Sequence, residues 1–345
     1  MKIYTFNASE QTPVELLYPL RSANRRPEFS QLISESKWEE VANIKNCDLA
    51  IFPNKVFAPD DYKFDSSVID AAQIAKSFNK PILVDATCDS DKFLEISNAT
   101  ILRFGLYRTL KRKNELERPF WTNQKQKDEL EALPLDTHFR KPSVSFCGTT
   151  SSLGKWFKVG RALPLFISRN ILSKGYVARQ VDNRLKKGMS HTLRESTMEL
   201  LSRDARIHCN FDITNNLQDY YNTSNSNRSS LENRFVENMS QSDYNLCVRG
   251  VGNYTIRFYM TLNAGRIPLV VDTDKTFPLE EKIHMLRVPV QSLNNIGDFM
   301  IKHFESVTAK ELATMKQENR EVYNQFLAPH RYIPQLVQDI VNASL

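Results

Sequence analysis

The sequence predicts an α/β protein of two domains. Three observations carry that expectation: the length of the chain, a strand–helix–strand order of apolar runs in its first 140 residues, and a second such order after a charge-rich stretch. At 345 residues the chain is long for one hydrophobic core and suits two domains of ordinary size. Hydrophobic residues make up 41% and charged residues 25%, the balance of a soluble globular protein. No apolar run reaches the length of a membrane span. The opening MKIYTFNASEQTP reads as a strand and a loop, with no basic segment leading into an apolar one, so no secretory leader is expected.

In the first half, Cys47 to Phe52 is a continuous apolar run ending at Pro53, and Pro81 to Asp85 is another. Between them, Ser66 to Phe78 places Val68, Ile69, Ala72, Ile74 and Ala75 on one expected helix face. Strand, helix, strand in that order predicts parallel pairing with helices on the faces of the sheet. A further strand is expected at Thr100 to Phe104. Lys111 to Lys141 is rich in charge and proline, and the domain boundary is placed near its end. The expected division is 1–140, 141–308, and C-terminal helices over 309–345 that pack back toward the first domain.

The second half opens with a strand at Val144 to Cys147 ending at Gly148. A helix is expected from Thr192 to Arg203, opened by the capping-box pattern Thr192-x-x-Glu195. Another is expected to open at Ser229-x-x-Glu232, after an exposed loop over Asn215 to Ser230. Then come a strand (Tyr244 to Val248), a glycine loop (Arg249 to Asn253), a helix (Tyr254 to Asn263) that Gly265 can terminate, and a strand (Ile267 to Val271).

That last unit is the strongest chemical signal. Glycines let backbone approach a ligand closely, and a helix start offers unpaired N–H groups to an anion. Arg249 and Arg257 can add forked charge-assisted contacts. The spacing is not the dinucleotide fingerprint, because Thr255 stands where its third glycine belongs, and no Gly-Lys-Ser/Thr makes it a phosphate loop of the nucleotidase kind. Phosphate binding and a tight turn with a surface arginine both remain open on composition alone.

The segment SDYNLCVRGVGNYTIRFYMTLNAGRIPLVVDTDKTFPLEE resembles the C-terminal signature of exostosin-like glycosyltransferases. KPSVSFCG, HTLRESTMELL, CDLAIFP and ILRFGLYRTLKRKNELERP resemble other stretches of that family, so the likeness spans about Cys47 to Glu281. It implies a GT-B fold, with two Rossmann-like domains facing across a cleft. It also implies inverting transfer from a nucleotide diphosphate sugar, UDP by default and GDP as the alternative, without a bound metal or other cofactor. The donor positions it implies are Arg194, Arg249, Gly250, Gly252, Asn253, Tyr254, Arg257, Met260, Thr261 and Asp272. The implied acceptor is a glycan or lipid-linked glycan. One departure stands out: Met260 occupies a position where the family carries an acid for the donor ribose. Glu280 or Glu281 could substitute, or the chain could be an inactive member that binds a sugar or partner.

An inverting transferase needs a base at the acceptor hydroxyl. Asp85 and Asp89, just after a first-half strand, are the leading choices, with Asp60 and Asp61 as alternatives. Asp272-Thr273-Asp274 is read as a loop near the nucleotide rather than a metal site, and His138, His191 and His208 lack metal spacing. Cys47, Cys88, Cys147, Cys209 and Cys247 are expected to be free thiols in a reducing compartment. The Asn-x-Ser/Thr triplets at Asn98 and Asn222 are read as chance. The net charge of +6 permits an anionic partner. Arg108, Lys111, Arg112 and Lys113 are either a solvated helix face or a contact for an anionic acceptor or membrane, which would suit a cytoplasmic, peripheral enzyme. Nothing in the chain resembles a nucleic-acid recognition motif.

Overall fold

The computed structural model describes residues 1–6, 36–53, 56–57, 63–96, 98–135, 139–150, 154–214 and 225–343. Asp60, Asp61, His138 and Asn222 lie outside the described residues, as does 215–224 of the expected loop. The chain forms two compact units. The first comprises 1–106, 111–119 and 326–345; the second comprises 107–110 and 120–325. The division falls at Phe120, earlier than the boundary placed near residue 140.

The first unit is built on strands β1 (Lys2–Thr5), β2 (Glu39–Glu40), β3 (Leu49–Phe52), β4 (Ile82–Asp85), β5 (Ala99–Arg103) and β6 (Glu115–Glu117), with helix α1 (Ser67–Ser77) between β3 and β4. The six strands pair in parallel in the order β2-β1-β3-β4-β5-β6. Every residue of β3 and β4 is buried, which is why these strands read as unbroken apolar runs rather than alternating ones. Helix α1 buries Val68, Ala71, Ala72 and Ala75, while Ile69 and Ile74 are 39% and 45% exposed. The face expected from the isoleucines is therefore wrong in detail. Positions 68, 71, 72 and 75 follow the i, i+3, i+4, i+7 stripe, and the two isoleucines flank it.

The second unit contains α2 (Gln124–Glu131), β7 (Ser143–Gly148), α3 (Lys155–Ala162), α4 (Leu165–Leu172), α5 (Gly175–Ala178) and α6 (Asn183–Ser202). It continues with β8 (His208–Ile213), α7 (Asn225–Ser240), β9 (Tyr244–Cys247), α8 (Ile256–Asn263), β10 (Ile267–Asp272), β11 (Leu286–Pro289), α9 (Ile296–Glu305) and α10 (Ala309–Val322). The last helix, α11 (Pro329–Asn342), belongs to the first unit. The second sheet is also wholly parallel, in the order β11-β10-β9-β7-β8. Chain direction across it reverses between β7 and β9, the point where doubly wound sheets hold ligands at their carboxyl ends. Both units are Rossmann-like α/β sheets.

Two local readings, the starts of α6 and α7, need correction. Helix α6 starts at Asn183, with the Asp182 carboxylate accepting from the Arg184 N–H at 2.8 Å. Thr192 and Glu195 are thus mid-helix, where Thr192 donates to the Gly188 carbonyl and Glu195 pairs with Arg161. Helix α7 includes 225–230, assigned above to a loop, and so opens before Ser229. The charge-rich stretch 111–141 holds β6 and α2, whose Leu130 is fully buried. Helix α8 begins at Ile256 and ends as expected: Gly265 takes φ +59, and a Cβ there would sit 2.3 Å from Leu135.

Candidate functional site

Strand β7 ends at Cys147 and Gly148, and β9 at Cys247. Three arginines gather at these carboxyl ends. Arg194 projects from α6, Arg249 follows β9, and Arg257 lies in the first turn of α8. All three are buried. The Arg257 guanidinium lies 4.0 Å above the Phe146 ring and donates to the Cys147 carbonyl; that of Arg194 lies 5.3 Å from the same ring. Arg194 donates to the Thr149 carbonyl and, at 3.3 Å, to that of Arg249. Gly148 makes room for this arrangement, because a Cβ would stand 2.8 Å from the Arg257 guanidinium. Arg249 donates to the Tyr107 hydroxyl at 3.1 Å and to the carbonyls of Leu172 and Val251.

Among the described residues, no carboxylate pairs with any of the three. Each guanidinium is held by carbonyl dipoles and aromatic faces, and the Nε of each has no hydrogen-bond partner. Burial, and next the charge of Arg257, push Arg194 down to about 9. Arg257 is likewise lowered by burial. Arg194 and Arg257, desolvated over the same Phe146 ring, raise each other's energy unless an anion joins them, so this pair favours an anion. Neighbouring His191 is pushed down to about 3, by burial first and then by Arg194, so its ring is neutral at physiological pH.

The glycine loop borders this cluster. Gly250 donates to the Tyr254 carbonyl, and Tyr254 to that of Gly252. The space a Gly250 side chain would fill is open, the nearest atom being 3.9 Å away. Asn253, fully buried, accepts from the Thr273 hydroxyl at 2.7 Å and so ties the loop to the end of β10. Thr261 turns its hydroxyl back onto the Arg257 carbonyl. Met260 packs with Leu130, Met239 and Ala264 in an apolar cluster flanked by Phe235, whose ring lies 5.7 Å from the Arg257 guanidinium.

The end of β10 holds a separate charged group. Asp272 accepts from Arg108 at 2.9 Å and Arg287 at 3.3 Å. Asp274 accepts from the Thr109 hydroxyl, and Glu280 pairs with Arg287 at 3.1 Å. Burial raises both Asp272 and Glu280, against the opposing pull of Arg108. Glu281 is exposed. Arg108 is thus committed to Asp272. The Arg108 side chain is still half exposed, and Arg112 stacks 4.3 Å over Phe93 and donates to the Leu94 carbonyl. Among the described residues, no group of three or more His, Cys, Asp or Glu side chains is arranged to hold a metal.

In the first unit, Asp85 is buried at the end of β4. Its carboxylate accepts from Arg118 at 3.0 Å and from the backbone and hydroxyl of Thr87. Asp89 lies four residues on, half-buried. His208 is exposed in β8. All five cysteines are free; burial raises Cys147 and Cys247 to about 12, which leaves them unreactive.

Tyr107, Phe146 and Thr149 escaped the sequence reading. Phe146 looked like core within an apolar strand, and Tyr107 lies 142 positions from the arginine it meets.

No protein family matches the sequence, and no curated protein sequence matches it. Among solved structures, the chain is similar to a sucrose-phosphate synthase from Thermosynechococcus elongatus, with 13% identity, 99% of this chain and 68% of that chain covered, and a TM-score of 0.33. It is also similar to WaaG, a glycosyltransferase involved in lipopolysaccharide biosynthesis, with 10% identity, 99% of both chains covered and a TM-score of 0.31. Likeness this loose does not say which residues act. No helix among the described residues is long and apolar enough to cross a membrane.

Proposed function

We propose that the chain is a glycosyltransferase of GT-B type. It would use a nucleotide diphosphate sugar, UDP-linked by preference, and deliver the sugar to a glycan or lipid-linked glycan. The observation that carries this reading is the set of three buried arginines without carboxylate partners at the switch point of the second sheet. A diphosphate placed there meets forked donors already fixed in position, so its binding needs little reorganisation. As transfer proceeds, the acceptor oxygen bonds to the sugar's anomeric carbon and the bond from that carbon to the diphosphate breaks. The electron pair leaves with the diphosphate, and charge grows where the guanidinium groups stand. The acceptor proton passes to a base. Asp85, at the end of β4, and Asp89, four residues on, are the two candidates for that base; the Asp85 carboxylate accepts from Arg118 and Thr87. In this reading the arginines supply the positive charge, and no resident metal is required. Glu280 or Glu281 takes the ribose role that Met260 cannot fill.

A thermal-shift panel of UDP, GDP, CMP and their sugars tests the reading, because a ligand that binds only the folded state raises the melting temperature. A clear rise with one nucleoside diphosphate is expected. No rise at millimolar ligand would contradict it. A second reading, a donor-binding protein without turnover, draws on Met260 in its apolar cluster and on the committed Asp85. Binding with neither hydrolysis nor transfer of the matching donor would favour that reading.

A further inference from the structure

Residues 155–187 hold nine Lys and Arg against one acid, Asp182, in a chain whose net charge is only +6; Lys186 is buried, Arg161 pairs with Glu195 and Arg184 with Asp182, and Lys155, Lys158 and Lys174 are among those left to the surface. The rest of the chain is therefore net acidic, although Arg108 to Lys113 form a second, shorter basic run. The same segment presents large apolar side chains to solvent: Trp156 is 46% exposed, Val159 41%, Phe166 64% and Tyr176 64%. The cause lies in how α3 packs. It crosses α6 so closely that a Cβ on Gly160 would stand 2.2 Å from the Leu185 carbonyl oxygen, and one on Gly188 2.3 Å from that of Phe157. Contact this tight uses Phe157 and Gly160, and the remaining residues of α3 face outward. Lys155, Trp156, Lys158 and Val159 are all exposed there, and the Arg184 guanidinium lies 5.9 Å from the Trp156 ring. No described carboxylate pairs with Lys155, Lys158 or Lys174.

We propose that α3 to α5 and the start of α6 form a docking surface for an anionic lipid bilayer. Charge complementarity selects the occupant: basic side chains near a membrane attract acidic headgroups. The apolar side chains select lipid over nucleic acid. Trp and Tyr suit the headgroup level, and Val and Phe gain by entering the acyl boundary, whereas a phosphate backbone offers them nothing. This surface does not include Arg194, Arg249 or Arg257, and the inference stands whether or not the donor reading holds.

The test is sedimentation of the full chain with vesicles of phosphatidylcholine alone and of phosphatidylcholine with about one-third phosphatidylglycerol, at low and physiological salt, with duplex DNA as a competing polyanion. Binding to the anionic vesicles only is expected, with a blue shift in tryptophan fluorescence that Trp156→Ala removes. The Lys155→Glu/Lys158→Glu double variant, altered only at exposed positions, is expected to lose at least about tenfold in binding. Its circular dichroism and melting temperature are expected to match those of the parent. Failure to bind anionic vesicles at low salt would overturn the proposal. So would equal binding by the double variant, or DNA binding that leaves the vesicles unoccupied.

Discussion

Buried arginines occur in both units but are satisfied differently. In the first unit, Arg118 pairs with Asp85 and Arg103 with Glu115, each at 3.0 Å, and all four side chains are buried. Arg103 also donates to the carbonyls of Ser90 and Lys92, which fixes the loop leaving β4. In the second unit, Arg194, Arg249 and Arg257 meet only carbonyls, a hydroxyl and aromatic rings. A compensated buried pair is complete in itself and serves structure. An uncompensated set at the carboxyl ends of a parallel sheet is instead open to an anion, which is the basis of the donor proposal.

The largest expected effect comes from breaking a compensated pair. Arg118→Ala leaves Asp85 buried without its cation and should cost about 3–5 kcal/mol of stability, read from urea unfolding. A loss near zero would mean that Asp85 is poised for another role. Placing a charge where none is compensated comes next. Met260→Glu buries a carboxylate among Leu130, Met239 and Ala264, and should cost on the order of 3 kcal/mol at pH 7. Burial raises that carboxyl's folded pKa, so the cost should shrink toward pH 5 as the group protonates. A pH-independent cost would point to steric rather than electrostatic damage.

His191 sharpens the same contrast, since it is crowded by the uncompensated cations. Its folded value of about 3 lies below the ordinary 6.5, so the unfolded chain binds the proton and the folded chain does not. Stability from this group is present above about pH 6.5 and is lost as pH falls. Linkage gives a loss of about 2 kcal/mol by pH 5. His191→Gln should remove that component of the pH profile; an unchanged profile would mean the ring is not held neutral. The smallest effect belongs to Arg161, whose pair with Glu195 at 2.7 Å is partly exposed. Arg161→Ala should cost under about 1 kcal/mol, and a larger loss would show that this partly exposed pair is held as firmly as the buried ones.

Much of this fold was legible because parallel strands buried on both faces must be continuously apolar. LAIF, ILVD and IPLVVD announce themselves. Strand β8 does not: HCNFDI sits at a sheet edge, half-buried, and its polar residues hide it. Helices α3 to α5 were also silent, because tight glycine contacts rather than a wide apolar stripe hold α3 to α6. At the site, the Arg-Gly loop and the helix after it made Arg249 and Arg257 visible. What the sequence could not give was the absence of carboxylate partners, or the Phe146 ring beneath two guanidinium groups. Those depend on which distant strands become neighbours.

Whether Arg194, Arg249 and Arg257 form a diphosphate site is tested most directly by calorimetric titration of UDP and GDP into the parent chain and into Arg249→Ala and Arg257→Ala. One nucleoside diphosphate is expected to bind the parent, more weakly as salt rises. Each variant is expected to lose about 1.5–3 kcal/mol of binding while its circular dichroism is retained. Binding of neither nucleotide to the parent, or equal binding to parent and variants, would contradict a diphosphate site there.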